Sequence, residues 1–384
     1  MNVLVTIDSM KGSLTSRQAA EAVRAGVLAA CPDAAVETLP VADGGEGTVE
    51  TLVSGLGGEL IRVPVTGPLG EPVEAAYGWL PRQQTAVFEM AQAAGLPLVP
   101  PERRNPLHTT TRGVGELLLH ALDRGCRRML IGIGGSATND CGIGMLEALG
   151  CRFLDRDGAE VGMFGRDVAR VRSLDISGLD PRLAACEIRV ACDVTNPLCG
   201  PNGASAVFGP QKGATPEIVG QMDLGAARFA AVVREALGID AADIPGAGAA
   251  GGLGYALLVF LRARMASGIS LILDMVGFDE RAARADVVIT GEGRMDGQTV
   301  MGKVPAGVAE AAKRRGALVA ALAGCVTPEA GACNRCGIDA FFPILRGPCS
   351  EAEAMDPARA AANLTAAAEQ VTRLIAACGW RKRR

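Results

Sequence analysis

The chain has 384 residues, of which 49% are hydrophobic and only 3% aromatic, and its formal net charge is -4. That length exceeds what one core usually organises, so two domains are expected, with cores of Ala, Val, Leu and Ile in parallel α/β layers covered on both faces. The acidic balance excludes a nucleic-acid surface as the main partner, and no apolar run reaches the ~20 residues of a membrane helix.

The N-terminus enters a strand and meets Asp8 and Lys11 before any long apolar run develops, which argues against a signal peptide and for a cytoplasmic protein. Its 12 cysteines then read as reduced thiols. The one Cys-x-x-Cys, Cys333 to Cys336, has only the loosely placed Cys325 and Cys349 to complete a zinc site, and ordinary thiols are expected.

In chain order, Val3 to Ile7 predicts a strand ending at Asp8, followed by a helix from about Ser16 to Ala30. Val36 to Leu39 is a second strand and Glu46 to Gly55 a helix. Leu60 to Val65 and Val73 to Leu80 flank the turn Gly67-Pro68-Leu69-Gly70 as a strand pair. Ala86 to Glu89, Gly113 to Arg124 and Arg128 to Ile133 repeat strand, helix and strand. Further strands end at Asp193 and at Thr290, and Leu318 to Ala323 is another. Asp8, Asp43, Gly134 to Asp140, Asp193 and Glu292 thus fall beyond strand C-terminal ends, where open parallel sheets bind ligands.

Four loops carry most of the chemistry. Asp8 to Ser13 leaves a strand and enters a helix, so its backbone N–H groups and Lys11 can face an anion. Ala42 to Thr48 joins Asp43 and Glu46 to Gly44 and Gly45, an arrangement that suits Mg²⁺ with phosphate oxygens. Gly132 to Asp140 has the small, hydroxylated character of a phosphate cradle. The fourth loop, Thr290 to Thr299 with Gly302 and Lys303 following, gathers two acids, an Arg and a Lys. Such mixed charge is natural around metal-bound phosphate.

Lysine usage points the same way. Only five of the 38 basic residues are Lys, and three of these, Lys11, Lys212 and Lys303, adjoin a glycine in a compact polar loop, as suits a point-charge phosphate ligand. Lys313 and Lys382 read as a helix face and a tail. Gly297 to Lys303 matches part of a P-loop, but Val304 replaces the Mg²⁺-binding hydroxyl, and a P-loop fold is rejected.

Asp8-Ser9-Met10-Lys11-Gly12-Ser13-Leu14, the run at 42 to 48, Gly134 to Asp140, Val207 to Ala214, Pro245 to Gly254 and Gly291 to Arg294 together, in this order, resemble the bacterial glycerate kinase family. Departures fall at Met10, where Phe is usual, at Cys141, where Gly is usual, and at Arg112, where an aromatic is common. The resemblance implies ATP- and Mg²⁺-dependent phosphorylation of D-glycerate, with 2-phosphoglycerate favoured over 3-phosphoglycerate. It also implies a two-domain α/β fold, in which a flavodoxin-like parallel-sheet domain from both chain ends (1–75 and 285–384) flanks an inserted mixed α/β domain (76–284), with the active site in the interdomain cleft. A kinase for another small hydroxy acid, or a nucleotide-binding regulator without catalysis, are the rival readings, and homo-oligomer formation is left open.

With His108 and His120 outside the densest loops, the catalytic base is expected to be acidic, Asp193 first and Asp8 next. Lys11 and Arg294 are assigned to the substrate carboxylate or γ-phosphate. Asp43, Glu46, Glu292 and Asp296 compete for the metal. Ser9, Gly44, Gly45, Gly134, Gly135, Ser136, Thr138, Asn139, Asp140, Asn196, Lys212, Gly291 and Lys303 complete the expected substrate- and phosphate-binding set.

Overall fold

The computed structural model describes residues 1–45 and 47–379, so the metal role expected of Glu46 lies outside the described residues. The strands among these residues are β1 (Asn2–Val5), β2 (Ala35–Thr38), β3 (Glu59–Thr66), β4 (Pro72–Leu80), β5 (Thr85–Glu89), β6 (Arg128–Gly132), β7 (Arg152–Leu154), β8 (Ser173–Asp175), β9 (Glu187–Ala191), β10 (Arg264–Ala266), β11 (Val287–Met295), β12 (Leu318–Val326) and β13 (Ala340–Pro343). They distribute over two compact units.

The first unit comprises Met1–Asp43, Ser54–Leu56 and the chain from Ser267. Its sheet runs β13-β12-β11-β1-β2, all parallel. Counted within the unit, this is the doubly wound order 2-1-3-4-5 of flavodoxin. Its switch point lies between β1 and β11, which is where such sheets bind ligands beyond their strand ends. Val3, Val5, Ile7, Val287, Ile289 and Leu322 form one side of the core, against Val23 and Val27 of helix Ser16–Ala30 and Leu364 and Ala368 of helix Pro357–Ala377. Those helices approach so closely that a methyl group at Gly26 would lie 2.1 Å from the Thr365 carbonyl oxygen. Only glycine fits there.

The second unit comprises Gly44–Val53 and Gly57–Ala266. Its sheet runs β10-β9-β6-β5-β4-β3, parallel from β5 through β6 and β9 to β10 and antiparallel from β5 to β4 to β3. This division falls at other positions than the expected boundaries of 75 and 285. The register of β3 on β4 runs unbroken from Glu59↔Trp79 to Thr66↔Pro72, which ties 57–75 to the same sheet as β4, while helices Gly268–Met275 and Phe278–Arg284 belong with the chain ends. A second departure is β11, which continues past Thr290 to Met295 because Glu292, Arg294 and Met295 keep pairing with Ala323, Cys325 and Val326. Glu292 and Arg294 thus stand on a strand, not in a free loop. No helix among the described residues is long and apolar enough to cross a membrane.

Candidate active site

In the first unit the site is built from the C-terminal ends of β1, β2 and β11. The Asp8 N–H donates to the Gly291 carbonyl (3.0 Å), extending the β1–β11 pairing one step beyond the sheet. Ser16 Oγ donates to the Ile7 carbonyl (2.6 Å) and accepts from the Val41 N–H (3.3 Å), so one buried hydroxyl at the start of a helix holds the exits of β1 and β2 together. Between them, reciprocal Met10–Leu14 backbone bonds close a tight loop with exposed Lys11 and Gly12 at its tip. Gly12, at φ 78°, supplies the left-handed turn.

From the other side, Glu292 is buried and oriented by Thr299, whose hydroxyl donates to Glu292 Oε1 (2.6 Å) and accepts from the Asp296 N–H (3.0 Å). Lys303, the N-cap of helix Val304–Arg314, places Nζ 3.8 Å from both Glu292 Oε2 and Asp296 Oδ1, and Arg294 Nε is 3.6 Å from Asp296 Oδ2. Gly291 cannot carry a side chain, since a Cβ would come within 1.9 Å of the Leu322 carbonyl oxygen.

Asp8, Ser9, Lys11, Asp43, Glu292, Arg294 and Lys303 line one cavity of about 500 Å³. Burial and the neighbouring Asp43 push the Asp8 carboxyl up to about 7, with Glu292 adding to the effect and the Ser9 N–H bond (2.7 Å) and Lys11 opposing it. Burial also raises Glu292, against the Thr299 bond and Lys303, with Asp296 and Asp43 adding to the rise. Carboxyls crowded this way favour an added cation or a shared proton. Among the described residues no group of three or more His, Cys, Asp or Glu side chains is arranged to hold a metal by itself.

The second unit treats its expected site residues differently. Lys212 is 2% exposed, and its ammonium donates to Ser136 Oγ (2.8 Å) and the Thr138 carbonyl (2.7 Å), with burial pushing it down to about 7 against the favourable field of Asp140. Asp140 is buried in turn and accepts from the Thr111 N–H and hydroxyl (2.7 Å each) and the Gly142 N–H (3.1 Å). Asn139 donates to Ser205 Oγ (3.1 Å). Ser136, Thr138, Asn139, Asp140 and Lys212 therefore form a buried polar frame that shapes the loop, while the backbone of Gly134 and Gly135 is what it exposes. Gly44 is buried, its carbonyl against Gly132, and Gly45 is half-buried. Asp193 is exposed beyond β9, and Asn196 donates to the Asn202 carbonyl (2.8 Å).

The model of the glycerate kinase family matches residues 3–376. The chain belongs to the glycerate kinase family. It is 52% identical over 347 residues to a glycerate kinase of Bacillus subtilis, covering 90% of this chain and 91% of that one. To a glycerate 2-kinase of Escherichia coli it is 49% identical, covering 90% and 91%. The solved structure titled putative glycerate kinase 2, from Salmonella typhimurium LT2, superposes with a TM-score of 0.91 at 46% identity, over 99% of both chains. The enzyme class is thereby that of the kinases.

Two departures from the glycerate kinase family pattern find a structural account. Cys141 sits at φ 50°, a left-handed conformation that glycine adopts without strain. Arg112 opens helix Arg112–Asp123 and pairs with Glu116 (3.1 Å) and Glu147 (3.0 Å), so it serves a surface ion-pair network. His120 bonds the Tyr77 hydroxyl (2.9 Å) and His108 contacts Arg166 (2.6 Å), both in the second unit. Sequence reasoning missed Ser16 and the orienting role of Thr299. Thr299→Val, which keeps the shape and removes both hydrogen bonds, is expected to lower kcat roughly 10-fold or more by freeing Glu292, with steady-state kinetics as the check and an unchanged kcat as the contrary result.

Proposed function

We propose that the protein transfers the γ-phosphoryl group of ATP to the 2-hydroxyl of D-glycerate, giving 2-phosphoglycerate and ADP. The carrying observation is the cavity at the β1/β11 switch point, which the buried Asp8 carboxyl shares with Lys11, Arg294 and Lys303. The likeness to the Escherichia coli glycerate 2-kinase supports the choice of hydroxyl.

Phosphoryl transfer demands positioning and charge stabilisation more than covalent chemistry. Asp8 accepts the hydroxyl proton as the oxygen attacks phosphorus. A carboxyl near 7 is well matched to this, because it is substantially ionised at neutral pH yet basic enough to hold the proton. Lys11, Lys303 and Arg294 stabilise the charge spread over the transferring group and the substrate carboxylate. Asp193, expected first as the base, is exposed, whereas Asp8 is buried in the cavity, so the role is assigned to Asp8. Asp43 and Glu292 would hold Mg²⁺, with Asp296 fixing Lys303 and Arg294 beside them. The repulsion evident at Asp8 and Glu292 is what a bound cation relieves. Mg²⁺ typically uses only one or two carboxylates and takes its other ligands from phosphate and water, where it neutralises the developing charge. The exposed backbone of Gly134 and Gly135 is assigned to anion binding in the second unit, with its buried frame, Lys212 included, as positioning structure.

Phosphorus NMR of the product from ATP, Mg²⁺ and D-glycerate tests substrate and regiochemistry at once. A 2-phosphoglycerate resonance is expected. A 3-phosphoglycerate signal would move the reaction to the other hydroxyl, and turnover of other small hydroxy acids at equal kcat/KM would defeat the choice of substrate.

A further inference from the structure

The cavity of the first unit changes character along the sheet. Its charged wall comes from the ends of β2, β1 and β11, through Asp43, Asp8, Lys11, Glu292 and Arg294. Beyond them, at the ends of β12 and β13 and on the segments that follow, the lining becomes mostly apolar, with Cys325, Ile344, Leu345, Ala354, Met355 and Ala360 joined by the exposed Glu351. Neighbouring strands lie about 4.8 Å apart, so this change spans the length of a nucleotide rather than of a three-carbon acid. Glycerate has no apolar surface to fill the second part. A purine does, and methionine side chains make favourable contacts with aromatic rings. Met10 and Met355 both line the cavity.

Set among these apolar groups is Asn363, on helix Pro357–Ala377. It is 9% exposed, and its carboxamide makes no hydrogen bond among the described residues. Its amide nitrogen and oxygen are not sealed in the core but open on the cavity, where a ligand can meet them. Resting on the ATP-dependent reading above, we infer that the purine of the nucleotide seats against Met10, Ile344 and Met355, and that Asn363 is the residue that selects adenine. A carboxamide presents a donor and an acceptor side by side, which complements the N6 amino group and a ring nitrogen of adenine. On the Watson–Crick edge, where adenine pairs through N6 and N1, guanine inverts the pattern, with O6 an acceptor and N1–H a donor, so a carboxamide held in the orientation that suits adenine meets like groups.

The test is isothermal titration of the full chain with MgATP and MgGTP, together with steady-state kinetics, for the wild type, Asn363→Leu and Asn363→Asp. The wild type is expected to favour ATP by roughly 10- to 100-fold. Asn363→Leu brings the ATP/GTP ratio near one by weakening ATP about 10-fold or more, with the KM for glycerate within about twofold. Asn363→Asp, which can accept from guanine N1–H and N2 but no longer donates, shifts preference toward GTP. Circular dichroism confirms folding, and Asn363→Ala stands in should the leucine variant misfold. A folded variant that keeps the wild-type ATP/GTP ratio overturns the assignment of Asn363 alone. A wild type that binds neither nucleotide overturns the ATP-dependent reading beneath it.

Discussion

Asp8→Asn is expected to lower kcat by roughly 10²–10⁴-fold, the usual contribution of a general base, while making the protein more stable. The amide keeps an oxygen for the Ser9 N–H, so the loop geometry survives. What it loses is a carboxylate held in a buried site against Asp43 and Glu292. The sign follows from proton linkage. The folded-state value, about 7, lies above the ordinary 3.8, so between these limits the native state binds more protons than the unfolded chain. The stability that Asp8 contributes is therefore fully present below the ordinary value and is lost as pH rises through 7. At pH 8 the wild type bears the full cost, and Asp8→Asn should gain ~1–3 kcal/mol in urea unfolding. The pH profile of kcat/KM should rise through about 7 in the wild type and lose that limb in the variant. Near-normal turnover of Asp8→Asn alongside a dead Asp193→Asn would return the base to Asp193.

Lys212 yields the second large effect, with the opposite pH dependence. Its folded-state value is depressed to about 7 from 10.5, so across that window the unfolded chain binds more protons and stability rises with pH. Lys212→Met should flatten this rise, seen by comparing urea midpoints at pH 6.5 and 9. Lys212→Arg must fit a larger, permanently charged group where Lys212 is already 2% exposed, and a loss of about 1–3 kcal/mol or more is expected from overpacking. Lys11→Arg, at an exposed loop tip, should leave stability unchanged and reduce turnover instead. Equal stability of the two arginine variants would show that the buried frame tolerates what its geometry forbids.

Lys11, Lys212 and Lys303 illustrate how far sequence reaches. Each adjoins a glycine, and nothing in the residues around them says which ammonium is buried. Only the fold separates them, because Lys11 and Lys303 line one cavity while the Lys212 ammonium is spent inside the protein on Ser136 and Thr138. Asp8 and Glu292 make the complementary case. They stand 284 positions apart in sequence, and they meet because β1 pairs directly with β11, with Val5 opposite Ile289. Asn363 was invisible for another reason, since an Asn on an Ala-rich helix has no local pattern that marks it as facing a cavity.

By itself, the sequence determined the alternation of strands and helices, the loops that carry charge beyond strand ends, and membership in the glycerate kinase family. Those are local properties: the period of apolar residues reports which face is buried, and motif order survives without knowledge of which strands touch. The tertiary structure decided the 2-1-3-4-5 strand order, the extension of β11 that carries Glu292 and Arg294, and the unit to which β3 belongs. It also decided which polar groups were desolvated. Strand pairing and desolvation arise from segments far apart in the chain, and the charge state of Asp8 or Lys212 follows from that company rather than from its neighbours in sequence.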